Sequence, residues 1–166
     1  MAGKALRVGD VAPDFVLPGP GGHEVRLSEL FGRGPVVLYF YPKDETLGCT
    51  VEACAFRDSN DLFLEAGAAV VGVSRDDEGS HARFSAHHNL PFLLLSDPKG
   101  EVHRQYGVAS LLGLADRVTY VIDRAGVIRH VFDSKVRMRA HVDRSLEVVR
   151  ALAAASGAGV AGGVSP

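Results

Sequence analysis

The sequence predicts an α/β fold with a mixed central sheet, and three observations lead there. Val36 to Tyr41 is an unbroken β-branched and aromatic run stopped by Pro42, the pattern of a strand buried on both faces. Strand-like and helix-like segments then alternate as far as Leu95, which implies right-handed βαβ crossovers and a largely parallel sheet centre. Further on, Val118 to Ile122 and Val127 to Phe132 flank Asp123-Arg124-Ala125-Gly126, a turn segment ending in glycine that marks an antiparallel hairpin.

Taken in order, Phe15 to Leu17 and Val25 to Leu27 flank Pro18-Gly19-Pro20-Gly21-Gly22 and read as an added N-terminal hairpin. After the central strand at Val36, a helix is expected from about Thr50 to Ala66, because Val51, Ala55, Leu62, Phe63 and Ala66 recur at helical intervals and Gly67 stops them. Ala69 to Ser74 is a second buried strand. Glu78 to Asn89 forms a polar helix ahead of Pro91 and the short strand Phe92 to Leu95. After the second hairpin, Ala140 to Ala155 places Val142, Leu146, Val149 and Leu152 on one face of a closing amphipathic helix.

An α/β block followed by a hairpin and a helix is the order of the thioredoxin fold. No internal repeat or linker divides the body, so residues 1–156 are expected to form one domain. From Ala151 to Pro166, twelve of sixteen residues are Ala, Gly or Ser, so 157–166 is expected to be a disordered tail.

Composition narrows the function. Eighteen Lys and Arg against twenty Asp and Glu leave a net charge of −2, too little basic field to hold nucleic acid or an anionic membrane. No apolar run approaches the roughly 18 residues that span a bilayer. The first fifteen residues mix Lys4, Arg7, Asp10 and Asp14 with scattered apolar positions, unlike a secretory signal, which favours a cytoplasmic location. Two cysteines, Cys49 and Cys54, are too few for a disulfide framework.

Cys49 falls where a buried strand ends and a helix begins. Unpaired N–H groups and the positive end of the helix dipole stabilise a thiolate there, and the thiolate is the nucleophile. Cys54 is five residues on, about 500° of rotation and ~7.5 Å of rise, which sets the two Cα atoms roughly 8.6 Å apart in a regular helix. That exceeds the ~7 Å reach of a disulfide, so joining them requires the start of the helix to unwind. The spacing also differs from the C-x-x-C of thioredoxin-type exchangers. Cys54 between two alanines is equally consistent with a small buried hydrophobe.

Pro42, Thr46 and Cys49 form the P-x-x-x-T-x-x-C signature of peroxiredoxins, and Gly48-Cys49-Thr50-Val51-Glu52-Ala53-Cys54 resembles the atypical two-cysteine bacterioferritin comigratory protein, or PrxQ, branch. The likeness extends to Gly9 through Phe15, Phe56-Arg57-Asp58, Leu95-Ser96-Asp97, Arg117 through Asp123 and the closing helix at His141-Val142, covering nearly all of Val8 to Leu152. It departs at Leu47, where the branch usually has proline, and at Leu111 to Asp116, which is short.

This resemblance implies a thioredoxin-like fold and a peroxidase that reduces hydrogen peroxide and organic hydroperoxides with no metal, haem or flavin. It implies that Cys49 attacks the peroxide and becomes a sulfenic acid, with Thr46 orienting the O–O bond and Pro42 shielding the thiolate. Arg117 would supply fixed positive charge, with Glu52 orienting it or the loop. Cys54 would be the resolving cysteine, and thioredoxin or a similar dithiol would close the cycle. Because the resolving cysteine is in the same chain, a monomer or weak dimer suffices.

Other readings keep their place. Thr46 and Thr50 are also good helix N-caps. Arg117 taken alone is one of fourteen arginines, and Arg124 and Arg129 read as solvated charges. His81, His87 and His88 share a polar helix, but without a second cysteine pair their spacing is not that of a zinc site. The alternative function is a thiol–disulfide oxidoreductase or peroxide redox sensor using the same pair, and a non-catalytic thioredoxin-fold binding module is a third class.

Overall fold

A computed structural model of the chain describes residues 6–108 and 117–163, with side chains as far as residue 155. In chain order the elements are β1 (Val16–Pro18), β2 (Glu24–Arg26), α1 (Leu27–Leu30), β3 (Val36–Phe40), α2 (Leu47–Asp58), α3 (Asn60–Glu65), β4 (Ala69–Ser74), α4 (Glu78–His88), β5 (Leu93–Ser96), α5 (Glu101–Gln105), β6 (Val118–Ile122), β7 (Ile128–Asp133) and α6 (Met138–Gly163).

β1 and β2 pair as a separate antiparallel hairpin, with Leu17 opposite Val25. The other five strands form one sheet in the order β5-β4-β3-β6-β7. β3, β4 and β5 run parallel, whereas β6 is antiparallel to β3 and β7 to β6. The expected thioredoxin-like arrangement with an added N-terminal hairpin is therefore what the chain adopts.

The period-two alternation of a strand sorts β3 between two cores. Val36, Leu38 and Phe40 join Val71, Leu95, Tyr106 and Tyr120, with Leu17 reaching in from the hairpin. Val37, Tyr39 and Tyr41 face the opposite layer, where Cys49, Ala53, Phe56, Phe84, Val142 and Val149 pack from α2, α4 and α6. Every residue of β3 is buried, which is why the run contains no polar position.

Several ends shift by one or two residues, and three differences from expectation are larger. The helix predicted from Thr50 starts at Leu47, so Cys49 lies inside it, and Ser59 divides what was expected as one helix into α2 and α3. Serine and asparagine at 59–60 favour caps over helix interiors because their side chains compete for backbone hydrogen bonds. The final helix, expected from Ala140 to Ala155, runs from Met138 to Gly163 and so into the segment expected to be disordered. The unusual segment Leu111 to Asp116 lies outside the described residues.

Candidate active site

The β3–β6 register fixes where the site forms. Phe40 pairs with Val118 at the end of an antiparallel ladder, so the chain leaving β3 at Tyr41 and the chain entering β6 at Arg117 meet at the same end of the sheet. Thr46 stands at the N-cap position of α2, with φ −79° and ψ 154°. The first closed turn runs from the Thr50 amide to the Thr46 carbonyl at 2.8 Å, so the amides of Leu47, Gly48 and Cys49 precede the helical ladder and form its positive end.

Cys49 is only 1% exposed. Glu52 lies three residues further along the helix and therefore on the same face. Arg117 Nη2 donates to Cys49 Sγ at 3.5 Å, and Nη1 donates to Glu52 Oε1 at 2.6 Å. Burial works against the guanidinium charge, but Glu52 and Cys49 more than offset it and hold Arg117 above the usual arginine range. Gly48 makes this contact possible: a Cβ there would lie 3.0 Å from Arg117 Nη2 and 2.9 Å from Met138 Cε.

Behind Glu52 stands His141, also fully buried. Its Nε2 lies 2.8 Å from the Ser134 carbonyl oxygen, which only accepts, so Nε2 carries the hydrogen. Nδ1 then accepts a hydrogen bond from the Thr119 hydroxyl at 2.8 Å. Burial drives His141 down to about 4, against the pull of the Ser134 carbonyl, and the ring is neutral. Glu52 Oε2, 3.6 Å from that Nδ1, receives no donor among the described residues. Burial accordingly pushes the Glu52 carboxyl up to about 7, although Arg117 pulls the other way.

The remaining candidates are placed less tightly. The Thr46 hydroxyl donates to the Lys43 carbonyl at 2.8 Å and accepts from no helix amide among the described residues, so its lone pairs stay free while its proton does not. Pro42 is half-buried on the same loop. Cys54 is half-buried, and both cysteines are free, in one uninterrupted helix. Arg129 bonds Asp123 at 2.6 Å and Arg124 the Gly32 carbonyl at 3.3 Å, both exposed and away from Cys49.

Sequence reasoning missed the anchor of the Pro42–Thr46 loop. Buried Asp44 accepts from the Tyr41 hydroxyl at 2.6 Å, the Ser80 hydroxyl at 2.8 Å and His81 Nδ1 at 2.6 Å. Its amide donates to Asp76 at 2.8 Å. His81 Nε2 sits 3.0 Å from the Leu95 carbonyl oxygen, so both of its ring nitrogens face acceptors. One acidic residue amid Lys43 and Glu45 gives no sign of burial in the sequence.

The AhpC/TSA family matches residues 8–131. Over 154 residues the chain is 46% identical to the chloroplastic peroxiredoxin Q of Oryza sativa subsp. japonica, covering 92% of this chain and 70% of that one. The chain belongs to the AhpC/TSA family of peroxiredoxins. As a peroxiredoxin it is a thiol-dependent peroxidase. Among solved structures, the peroxidoxin BcpB of Mycobacterium tuberculosis matches this peroxiredoxin with a TM-score of 0.84 and 43% identity, over 88% of this chain and 97% of that one. The bacterioferritin comigratory protein of Xanthomonas campestris, solved in connection with its alkyl peroxide reduction activity, matches with a TM-score of 0.77 and 32% identity, over 84% and 92%. No helix among the described residues is long and apolar enough to cross a membrane.

Proposed function

We propose that this peroxiredoxin reduces hydrogen peroxide and organic hydroperoxides at Cys49, resolves the product with Cys54 and is recycled by thioredoxin or a similar dithiol. The Cys49 thiolate attacks the terminal peroxide oxygen; the O–O bond breaks, sulfur is oxidised to a sulfenic acid, and the leaving oxygen departs as water or alcohol after taking a proton. Cys54 sulfur then attacks the Cys49 sulfur, the sulfenic S–O bond breaks and its oxygen leaves as water, giving a disulfide that a dithiol reduces.

The observation that supports this most is the Arg117 fork, which places one N–H on Cys49 Sγ and the other on Glu52. A fixed guanidinium there favours anionic sulfur and can follow charge onto the leaving oxygen. Thr46, its proton occupied by Lys43, serves as an acceptor for the incoming peroxide O–H, and Pro42 screens the loop side. With the resolving thiol in the same chain, a single-domain monomer or weak dimer in the cytoplasm completes the reading.

A thioredoxin-coupled peroxide assay tests it. Cys49→Ser should show no turnover, and Cys54→Ser should react once and stall unless external thiols are added. Peroxide consumption by Cys49→Ser equal to wild type would sink the assignment.

A further inference from the structure

Outside the site, a second set of side chains converges on the same loop. Glu45, the residue before Thr46, places Oε2 2.9 Å from His87 Nδ1 and Oε1 2.9 Å from His88 Nε2. Both histidines lie in the last turn of α4. The His88 ring is held in place: its side chain is 18% exposed, it packs edge-on against Phe84 at 5.3 Å, and Arg57 binds its carbonyl at 2.8 Å. The His87 ring lies beside it at 4.2 Å.

Two imidazole nitrogens and a carboxylate, all within 4.8 Å of one another, form a ligand set. Zinc bonds of about 2.0–2.1 Å at tetrahedral angles put neighbouring ligand atoms about 3.4 Å apart. The 2.9 Å contacts therefore need to open by only about half an ångström. Three protein ligands with a fourth position left to water is a familiar zinc arrangement, and imidazole selects zinc, copper or nickel over magnesium and calcium. A second cluster among the described residues, Asp44, Asp76 and His81, is occupied by hydrogen bonds that hold the loop from inside.

We propose that Glu45, His87 and His88 bind a divalent transition ion, zinc in the first instance, and that the bound ion clamps the Pro42–Thr46 loop to α4. The ion adds an outer tie to the inner one made by Asp44. Because the disulfide cannot form until the first turns of α2 open, the clamp slows resolution. This last consequence rests on the function proposed above, whereas binding itself does not.

Binding is tested on untagged protein carrying Cys49→Ser and Cys54→Ser, so that no thiol competes for metal. Calorimetric titration with zinc chloride should show one ion per chain, with affinity falling about tenfold or more in Glu45→Gln and in His87→Gln/His88→Gln. Cobalt should give tetrahedral absorption bands that the same variants lose. Absence of saturable binding, or unchanged affinity in the variants, overturns the site. In the protein with both thiols, one equivalent of zinc should slow disulfide formation after a peroxide pulse several-fold, and the slowing should vanish in His87→Gln/His88→Gln. Equal rates with and without zinc overturn the clamp.

Discussion

Arg117 and Glu52 meet at 2.6 Å with side chains 7% and 0% exposed, and the same guanidinium reaches Cys49 Sγ at 3.5 Å. Removing one partner of such a pair strands the other charge away from water, which is far more costly than losing an exposed ion pair. The pair therefore ties the reactivity of Cys49 to the integrity of the fold.

Arg117→Ala is expected to destabilise the protein by about 3 to 5 kcal/mol, because Glu52 is left buried and unpaired. Arg117→Lys restores a charge without the fork that spans two acceptors, and should still lower the second-order rate with peroxide by about 100- to 1000-fold. Stopped-flow kinetics and urea titration check both. A Lys variant within threefold of wild type would remove the guanidinium from the mechanism.

Glu52→Gln keeps an oxygen for Arg117 Nη1 but removes the negative charge that competes with Cys49 for the guanidinium. Alkylation of Cys49 by iodoacetamide at fixed pH should become a few times faster than in wild type, with Cys54→Ser as the common background. A slower reaction would show that Glu52 acts mainly by holding the arginine in place.

Stability against pH separates Glu52 from His141. Glu52 is raised from 4.5 to about 7, so its contribution is fully present below 4.5 and is lost as pH rises through about 7. His141 is lowered from 6.5 to about 4, so its contribution is present above 6.5 and is lost as pH falls through about 4. Each amounts to about 3 kcal/mol, and between pH 4.5 and 6.5 they oppose one another. Relative to wild type, Glu52→Gln should gain stability as pH rises across that window and His141→Asn should lose it, as read from urea midpoints at several pH values. Parallel curves for all three proteins would contradict the assignment.

Gly48→Ala should divide stability from activity. Alanine favours the helix over glycine by about 1 kcal/mol and the far end of Met138 can give way, so the melting temperature should stay near wild type although the new Cβ crowds the buried Arg117 Nη2 at 3.0 Å. The same methyl displaces Arg117 Nη2 from Cys49, so the peroxide rate should drop by about tenfold or more. An unaltered rate would mean that the guanidinium moves without consequence.

Hydrogen exchange follows the helix itself. Amides from Thr50 to Phe56 should be protected in the reduced protein and exchange rapidly in the disulfide form, since Cys49 and Cys54 occupy one regular helix in which their Cα atoms are roughly 8.6 Å apart. Equal protection in both forms would exclude local unwinding.

Where the chain's own pattern decides structure, it was readable. β4 and β6 begin and end where their apolar runs do, and β3 stops just short of Tyr41 because Pro42 follows. α5 was not anticipated, since Glu-Val-His-Arg-Gln is too short to show a period. The helix start moved from Thr50 to Leu47 because the capping position belongs to Thr46, whose hydroxyl turns away to Lys43. At the site, Cys49, Arg117 and Glu52 were named through a family likeness and found in contact. Thr119, His141, Asp44 and His81 were not assigned roles, because the Thr119–His141 and Asp44–His81 contacts span 22 and 37 residues and only folding brings them together.

The pairing of Phe40 with Val118 also sets a schedule for the newborn chain. Arg117 follows Cys49 by 68 residues, so at about 5 to 20 residues per second the ribosome makes the cysteine roughly 3 to 14 s before the arginine that attends it. Until β6 slots in beside β3, Arg117 cannot reach that sulfur, so the chemistry proposed for Cys49 has to wait until synthesis has passed β6.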